Sequence, residues 1–204
     1  MSALPTLHRR HHGPVPIGQH AVEDLRFIRE TMERAAAVTA FPGWGQVVIG
    51  VTALAAAVLA TRMSNVTAWL GVWLAEWVLA AAIGAAAMAF KSRAAGPLFG
   101  NGALRRFALA FSLPLVAGAV LTLRLHQAGW HDALPGVWML LYGVGIAAGG
   151  AFSVAAVRAM GGAFMLVGTA ALFAPAGYRD LWMAGGFGLL HIGFGIWIAR
   201  RHGG

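Results

Sequence analysis

Residues 67–89, TAWLGVWLAEWVLAAAIGAAAMA, run for 23 positions with one ionisable side chain, Glu76. At about 1.5 Å of rise per residue, a helix of this length covers roughly 35 Å, enough to cross a hydrocarbon layer about 30 Å thick. Such a segment has to be helical, because every backbone amide and carbonyl facing lipid needs a partner within its own chain segment. Five further apolar runs lie on either side of it, at 45–61, 106–125, 136–157, 160–177 and 181–199. The reading is an all-α integral membrane bundle of six transmembrane helices over 45–199, closed by a short tail at 200–204.

Composition supports this. The 204 residues are 59% hydrophobic and 11% charged, and the mean hydropathy is +0.70. Soluble domains carry roughly 25% charged residues. A water-soluble globule is excluded, and so is overall disorder, since a chain this apolar does not stay solvated. Cysteine is absent, which removes disulfides, thiol catalysis and cysteine-ligated zinc or iron–sulfur clusters.

The basic residues provide a test independent of hydropathy. With a cytoplasmic N-terminus, six crossings place Arg9, Arg10, Arg26, Arg29, Arg34, Lys91, Arg93, Arg105, Arg106, Arg158, Arg200 and Arg201 inside, and only Arg62, Arg124 and Arg179 outside. This is the asymmetry expected of a multi-pass protein of the bacterial inner (cytoplasmic) membrane with both termini in the cytoplasm. The net charge of +8 is therefore read as topological. No basic stripe interleaved with aromatics is present, so direct nucleic-acid binding is not expected.

Ahead of the spans, residues 1–19 hold three prolines and three histidines (His8, His11, His12) and read as a disordered basic tail rather than a metal site. Residues 20–41 change to helical spacing. Leu25, Ile28, Met32 and Ala35 make an apolar stripe, and Arg26–Glu30, Arg29–Glu33 and Glu30–Arg34 are i,i+4 pairs. This predicts an amphipathic helix, too charged to cross, that lies in the membrane interface or docks on a protein. Phe41-Pro42-Gly43-Trp44-Gly45 predicts a break before the first span. The loops are short, and Pro114 predicts a kink within the third span.

Small residues mark helix contacts. Gly145 and Gly149 in the fourth span, and Ala184, Gly188 and Gly195 on one face of the sixth, predict close packing within the bundle or across a homo-oligomer.

Of seven acidic residues, only Glu76 falls inside a span. An ionised group at a helix centre costs about 2.5–3.5 kcal/mol on translocon scales, so it must face the bundle, find a partner or stay protonated. Trp69 and Trp73 share its helix face. His191 is the one histidine deep in a span, and it lies level with Glu76 when both are counted from the same membrane surface. Together with Tyr142 these residues form a candidate intramembrane polar site. Ser112, Ser153 and Thr169 are further candidate polar neighbours. Three readings are open: a Glu76–His191 pair that exchanges a proton or binds a ligand, the same pair as a polar clasp, or separate partners for each.

A bis-histidine haem needs a second imidazole at that depth, and His126 and His131 lie at the outer edge. No catalytic, metal-binding or phosphate-loop motif is present. No catalytic residue, cofactor or metal is expected.

Ile28-Arg29-Glu30-Thr31-Met32-Glu33-Arg34-Ala35, the Pro42-Gly43-Trp44-Gly45 turn and the closing stretch 188–204 together resemble a family of polytopic bacterial membrane proteins that has no assigned activity. The resemblance implies a sensory or regulatory partner and transfers no catalytic residue. The expectation is a non-enzymatic membrane protein surrounded by the lipid bilayer, a sensory, regulatory or accessory subunit engaging a cytoplasmic regulatory protein through its N-terminal helix. The alternative is a small proton-linked transporter or ligand-binding membrane carrier centred on Glu76 and His191.

Overall fold

A computed structural model describes residues 22–29, 42–95, 101–151 and 153–202. Among the described residues the chain is helical with no strand, and six helices are long and apolar enough to cross a membrane. They are α1 (Gly43–Ala60), α2 (Val66–Ala95), α3 (Asn101–Gln127), α4 (Leu134–Gly149), α5 (Ala155–Leu172) and α6. A single 3-10 turn, His131–Ala133, leads into α4. Helix α6 is composite: Arg179–Met183, a π-helical stretch Ala184–Leu190, and His191–His202. The protein is an all-α, multi-pass membrane bundle.

Helix α1 packs against α2 and α6, α4 packs against α3 and α5, and an α5–α6 contact joins the two sets. Two seams of small residues allow these approaches. A Cβ on Gly136 or Gly143 would come within 3 Å of the backbone carbonyl of Gly168 or Gly161, so α4 and α5 meet backbone to backbone. A Cβ on Gly195 would likewise lie 2.8 Å from Gly43 O of α1. In lipid, where burying apolar surface gains little, such close contact is the main source of helix association.

Helices α2 and α3 are peripheral. Leu74, Trp77, Val78 and Leu79 on α2, and Leu109, Leu113, Val116 and Val120 on α3, all point outward. An apolar outer surface of this extent has a stable environment only in hydrocarbon.

At the end of the bundle marked by Arg62, Trp69 Nε1 donates to Asp180 Oδ1 at 2.6 Å, and Arg179 lies 5.0 Å above the Trp69 ring. Trp69 stacks on Trp138, whose Nε1 donates to Thr122 Oγ1, and that hydroxyl donates onward to Gly118 O. These contacts tie α2, α3, α4 and α6 together at one level.

The fourth and fifth spans differ from the expected 136–157 and 160–177. They run His131–Gly149 and Ala155–Leu172. The connection falls near Gly150 because Val154 is extended (φ −57, ψ 150) and Arg158 lies inside α5, where its guanidinium donates to Ser153 O at 2.7 Å. Arg158 closes the turn instead of marking a loop. At the far end of α5, the chain leaves the helix after Leu172 and turns through Gly177 at φ +93.

Trp44, expected in a break, sits in the first turn of α1, with Pro42 at the N-cap position. Pro114 lies within a continuous α3. Residues 22–29 are helical with exposed side chains. The remainder of the expected 20–41 helix and the 1–19 tail lie outside the described residues.

Candidate functional site

Glu76 projects from peripheral helix α2 toward α1 and is only 8% exposed. Thr52 of α1 meets it, with Thr52 Oγ1 2.8 Å from Glu76 Oε1 and 2.9 Å from Ile49 O on its own helix. A threonine hydroxyl carries one proton, and a carbonyl can only accept. The two contacts therefore define two states. With Glu76 ionised, Thr52 donates to the carboxylate. With Glu76 protonated, the carboxyl O–H donates to Thr52, which donates to Ile49 O. In both states the Thr52 hydroxyl and the carboxyl oxygen it faces stay hydrogen-bonded to each other, so this contact survives a change of charge.

This pair forms the polar part of a groove between α1 and α2, with a volume of about 540 Å³. The rest of its lining is small or aliphatic, including Ala55, Ala56, Leu59, Gly71 and Ala75. Ala55, Leu59, Gly71, Ala75 and Leu79 are exposed, so the groove opens sideways onto the bundle's apolar surface. A Cβ on Gly71 would meet nothing within 4 Å. The arrangement offers one carboxyl and one hydroxyl at the side of a lipid-facing apolar groove.

His191 has different partners and is 1% exposed. Its Nδ1 lies 2.9 Å from Phe187 O and its Nε2 lies 2.8 Å from Tyr142 OH. Because the Phe187 carbonyl can only accept, Nδ1 carries the proton; in the neutral ring Nε2 then accepts from the tyrosine hydroxyl. Phe164 packs edge-on to the imidazole at 5.1 Å and Phe187 stacks on it at 6.1 Å. Both ring nitrogens are satisfied inside an aromatic enclosure. The chemical character is that of a polar clasp joining α4 to α6.

No hydrogen bond links Glu76 to His191 among the described residues. The two lie at a similar level but are separated by aromatic rings: Trp73, one turn from Glu76, packs 6.5 Å from Phe187, one turn from His191. The Nε1 of Trp73 is buried without a hydrogen-bond partner. Trp69 belongs to the end-of-bundle network rather than to the carboxyl. Tyr142 belongs with His191.

The glycines occupy helix contacts. Gly145 and Gly149 face Phe111 and Phe107 of α3, whereas Gly188 faces Leu54 of α1 and Gly195 faces Gly43 and Val47 of the same helix. His191 turns instead toward α4 and α5. The π-helical stretch just before it alters the angular step through i→i+5 bonding, and Gly188 and His191 present different faces.

Thr52 was not among the expected residues. Its signal was available in the register. Thr52 lies ten residues before Arg62, and Glu76 lies nine after Thr67, which puts the two at matching depth on consecutive antiparallel helices. Ser112 and Thr169 donate to Leu109 O and Met165 O of their own helices and join neither site, and Ser153 lies in the α4–α5 connection, where its backbone carbonyl accepts from Arg158.

No protein-family model, curated protein or solved structure matches the chain. Its functional reading rests on its own residues.

Proposed function

We propose that the protein is a proton-linked, ligand-binding membrane carrier whose site is the Glu76–Thr52 groove, with the Tyr142–His191 clasp serving as its scaffold. The observation that carries this reading is the placement of Glu76. It is the one acid in the middle of a span, Asp132 and Asp180 standing at the ends of theirs, its hydrogen bond among the described residues comes from Thr52, and it borders a groove open to the apolar outer surface. A structural carboxyl would gain more by facing the bundle interior, where intramembrane acids ordinarily find partners.

A single carboxylate in apolar surroundings is neutralised by a proton or by a cationic ligand, and not by both together. That exclusion provides the coupling. The fitting ligand class is a lipophilic cation, with an apolar body for the groove and a positive centre for Glu76. The membrane is the bacterial cytoplasmic membrane, with both termini on the arginine-rich side.

The test uses tetraphenylphosphonium as the probe, with binding measured on the detergent-solubilised protein and uptake in proteoliposomes. The wild type binds and transports it, Glu76→Gln weakens binding about a hundredfold and stops uptake, and Glu76→Asp retains binding. Binding of undiminished affinity in Glu76→Gln would overturn the proposal.

A second reading has its own support. Val22, Leu25 and Ile28 are 65%, 65% and 51% exposed on the helical segment 22–29, an apolar stripe suited to docking on a membrane surface or a cytoplasmic regulatory protein. Deleting residues 1–40 would abolish partner capture under that reading and leave cation binding intact under the first.

A further inference from the structure

We propose that His126 and His131 form a zinc-binding site at the Arg62 end of the bundle, separate from the groove and independent of it. The geometry begins with how α3 ends. Gly129 takes φ +77, Trp130 N–H donates to Leu125 O at 2.9 Å and Gly129 N–H donates to His126 O at 3.1 Å. This paired arrangement is the Schellman ending, which requires a left-handed residue and reverses the chain sharply. It brings His131, the first residue of the following 3-10 turn, back against His126 of the last helical turn.

The two imidazole centroids are 5.2 Å apart, with planes inclined at 52°. For a metal bound at about 2.0–2.1 Å from each nitrogen, and a nitrogen-to-centroid distance of roughly 1.2 Å, a tetrahedral angle separates the centroids by about 5.2 Å. A right angle gives about 4.5 Å and a linear arrangement about 6.4 Å from the same bond lengths. The observed separation leaves room for an ion bound tetrahedrally between the rings, the geometry Zn²⁺ prefers.

The nitrogens supply a second, independent observation. His126 Nδ1 and His131 Nε2 are both shielded from solvent and both lack a hydrogen-bond partner. Buried polar atoms are rarely left unpaired, and an unpaired one calls for an ion or water to satisfy it. One cation between the two adjacent rings would satisfy both nitrogens together.

Among the described residues no third histidine, cysteine, aspartate or glutamate completes a cluster. Asp132 is directed elsewhere, accepting a long hydrogen bond from Gly177 N–H at 3.5 Å. Water then occupies the remaining coordination positions. The site is exchangeable, and a chelator strips it without unfolding the bundle, in contrast to a closed four-residue structural site.

The test is calorimetric titration of the full chain with Zn²⁺ at neutral pH, in a background where His8, His11 and His12 are changed to Gln so that the tail does not contribute. One site is expected. Since loss of even an indirect supporting partner weakens metal sites by about 10–100-fold, loss of a ligand in His126→Gln or His131→Gln should raise Kd by at least about tenfold. A companion measurement needs no variant at this site. Zn²⁺ should protect both histidines from carbethoxylation by diethyl pyrocarbonate, read by peptide mass spectrometry. Absence of a zinc site, titrations unchanged in both variants, or unprotected histidines at saturating Zn²⁺ would overturn the proposal.

Discussion

Below the pH at which Glu76 ionises, lowering the pH should weaken tetraphenylphosphonium binding with a limiting slope of one, tenfold per pH unit and no steeper; above it the affinity levels off. The slope follows from a count: Glu76 is the only acid in the middle of a span, Asp132 and Asp180 standing at span ends, and His191 is enclosed with both nitrogens bonded. One proton therefore competes with one cation. Each tenfold step corresponds to about 1.36 kcal/mol at 25 °C. The size of the plateau affinity change follows from Coulomb's law. A cation centre held about 5 Å from the carboxylate gains roughly 3 kcal/mol at an effective dielectric of 20. Glu76→Gln should then cost about two orders of magnitude in Kd and flatten the pH dependence. The assay is equilibrium dialysis of radiolabelled tetraphenylphosphonium against protein in detergent, between pH 5 and 9, for wild type, Glu76→Gln and His191→Gln. A slope of two, or a slope that persists in Glu76→Gln, would refute the reasoning, because a second titrating group would have to lie in the site.

The fold's other contacts make further predictions. Tyr142→Phe removes the hydroxyl that serves His191 and should lower stability by about 1–2 kcal/mol, seen as a lower melting temperature in detergent, with cation affinity unchanged. Gly161→Val forces side-chain atoms against Gly143 O, 2.8 Å from where a Cβ would stand. It should destabilise by about 1–3 kcal/mol and broaden the elution profile on gel filtration. Trp69→Phe keeps the stack on Trp138 but loses the 2.6 Å hydrogen bond to Asp180, and should cost about 1 kcal/mol in the same thermal assay.

The membrane class and the number of crossings were legible because hydrophobic run length is nearly independent of tertiary detail. The fourth and fifth boundaries were less so. From Gly145 to Gly168 the sequence is almost wholly apolar, with Arg158 as its only charge, and hydropathy has no means of telling a loop arginine from one folded back onto Ser153 O. Glu76 stood out by its cost alone. Its partner did not, because Thr52 pairs with it across two helices and no short spacing encodes that. The supposed Glu76–His191 pair rested on depth, which fixes height in the bundle but not azimuth, and the π-helical stretch before His191 makes the azimuth unreadable from a 3.6-residue period. The His126–His131 approach was hidden for a related reason: an H-x4-H spacing occurs in zinc sites, but without accompanying cysteines it signals nothing until Gly129 folds the chain back.

Carbodiimide labelling tests the central claim, that Glu76 faces the hydrocarbon from a lateral groove. Dicyclohexylcarbodiimide partitions into bilayers and reacts with protonated carboxyl groups it meets there. Treatment of the protein in lipid vesicles, followed by peptide mass spectrometry, should give one adduct, at Glu76, and tetraphenylphosphonium should suppress it in proportion to occupancy. An unmodified Glu76, or labelling indifferent to the cation, would contradict the account.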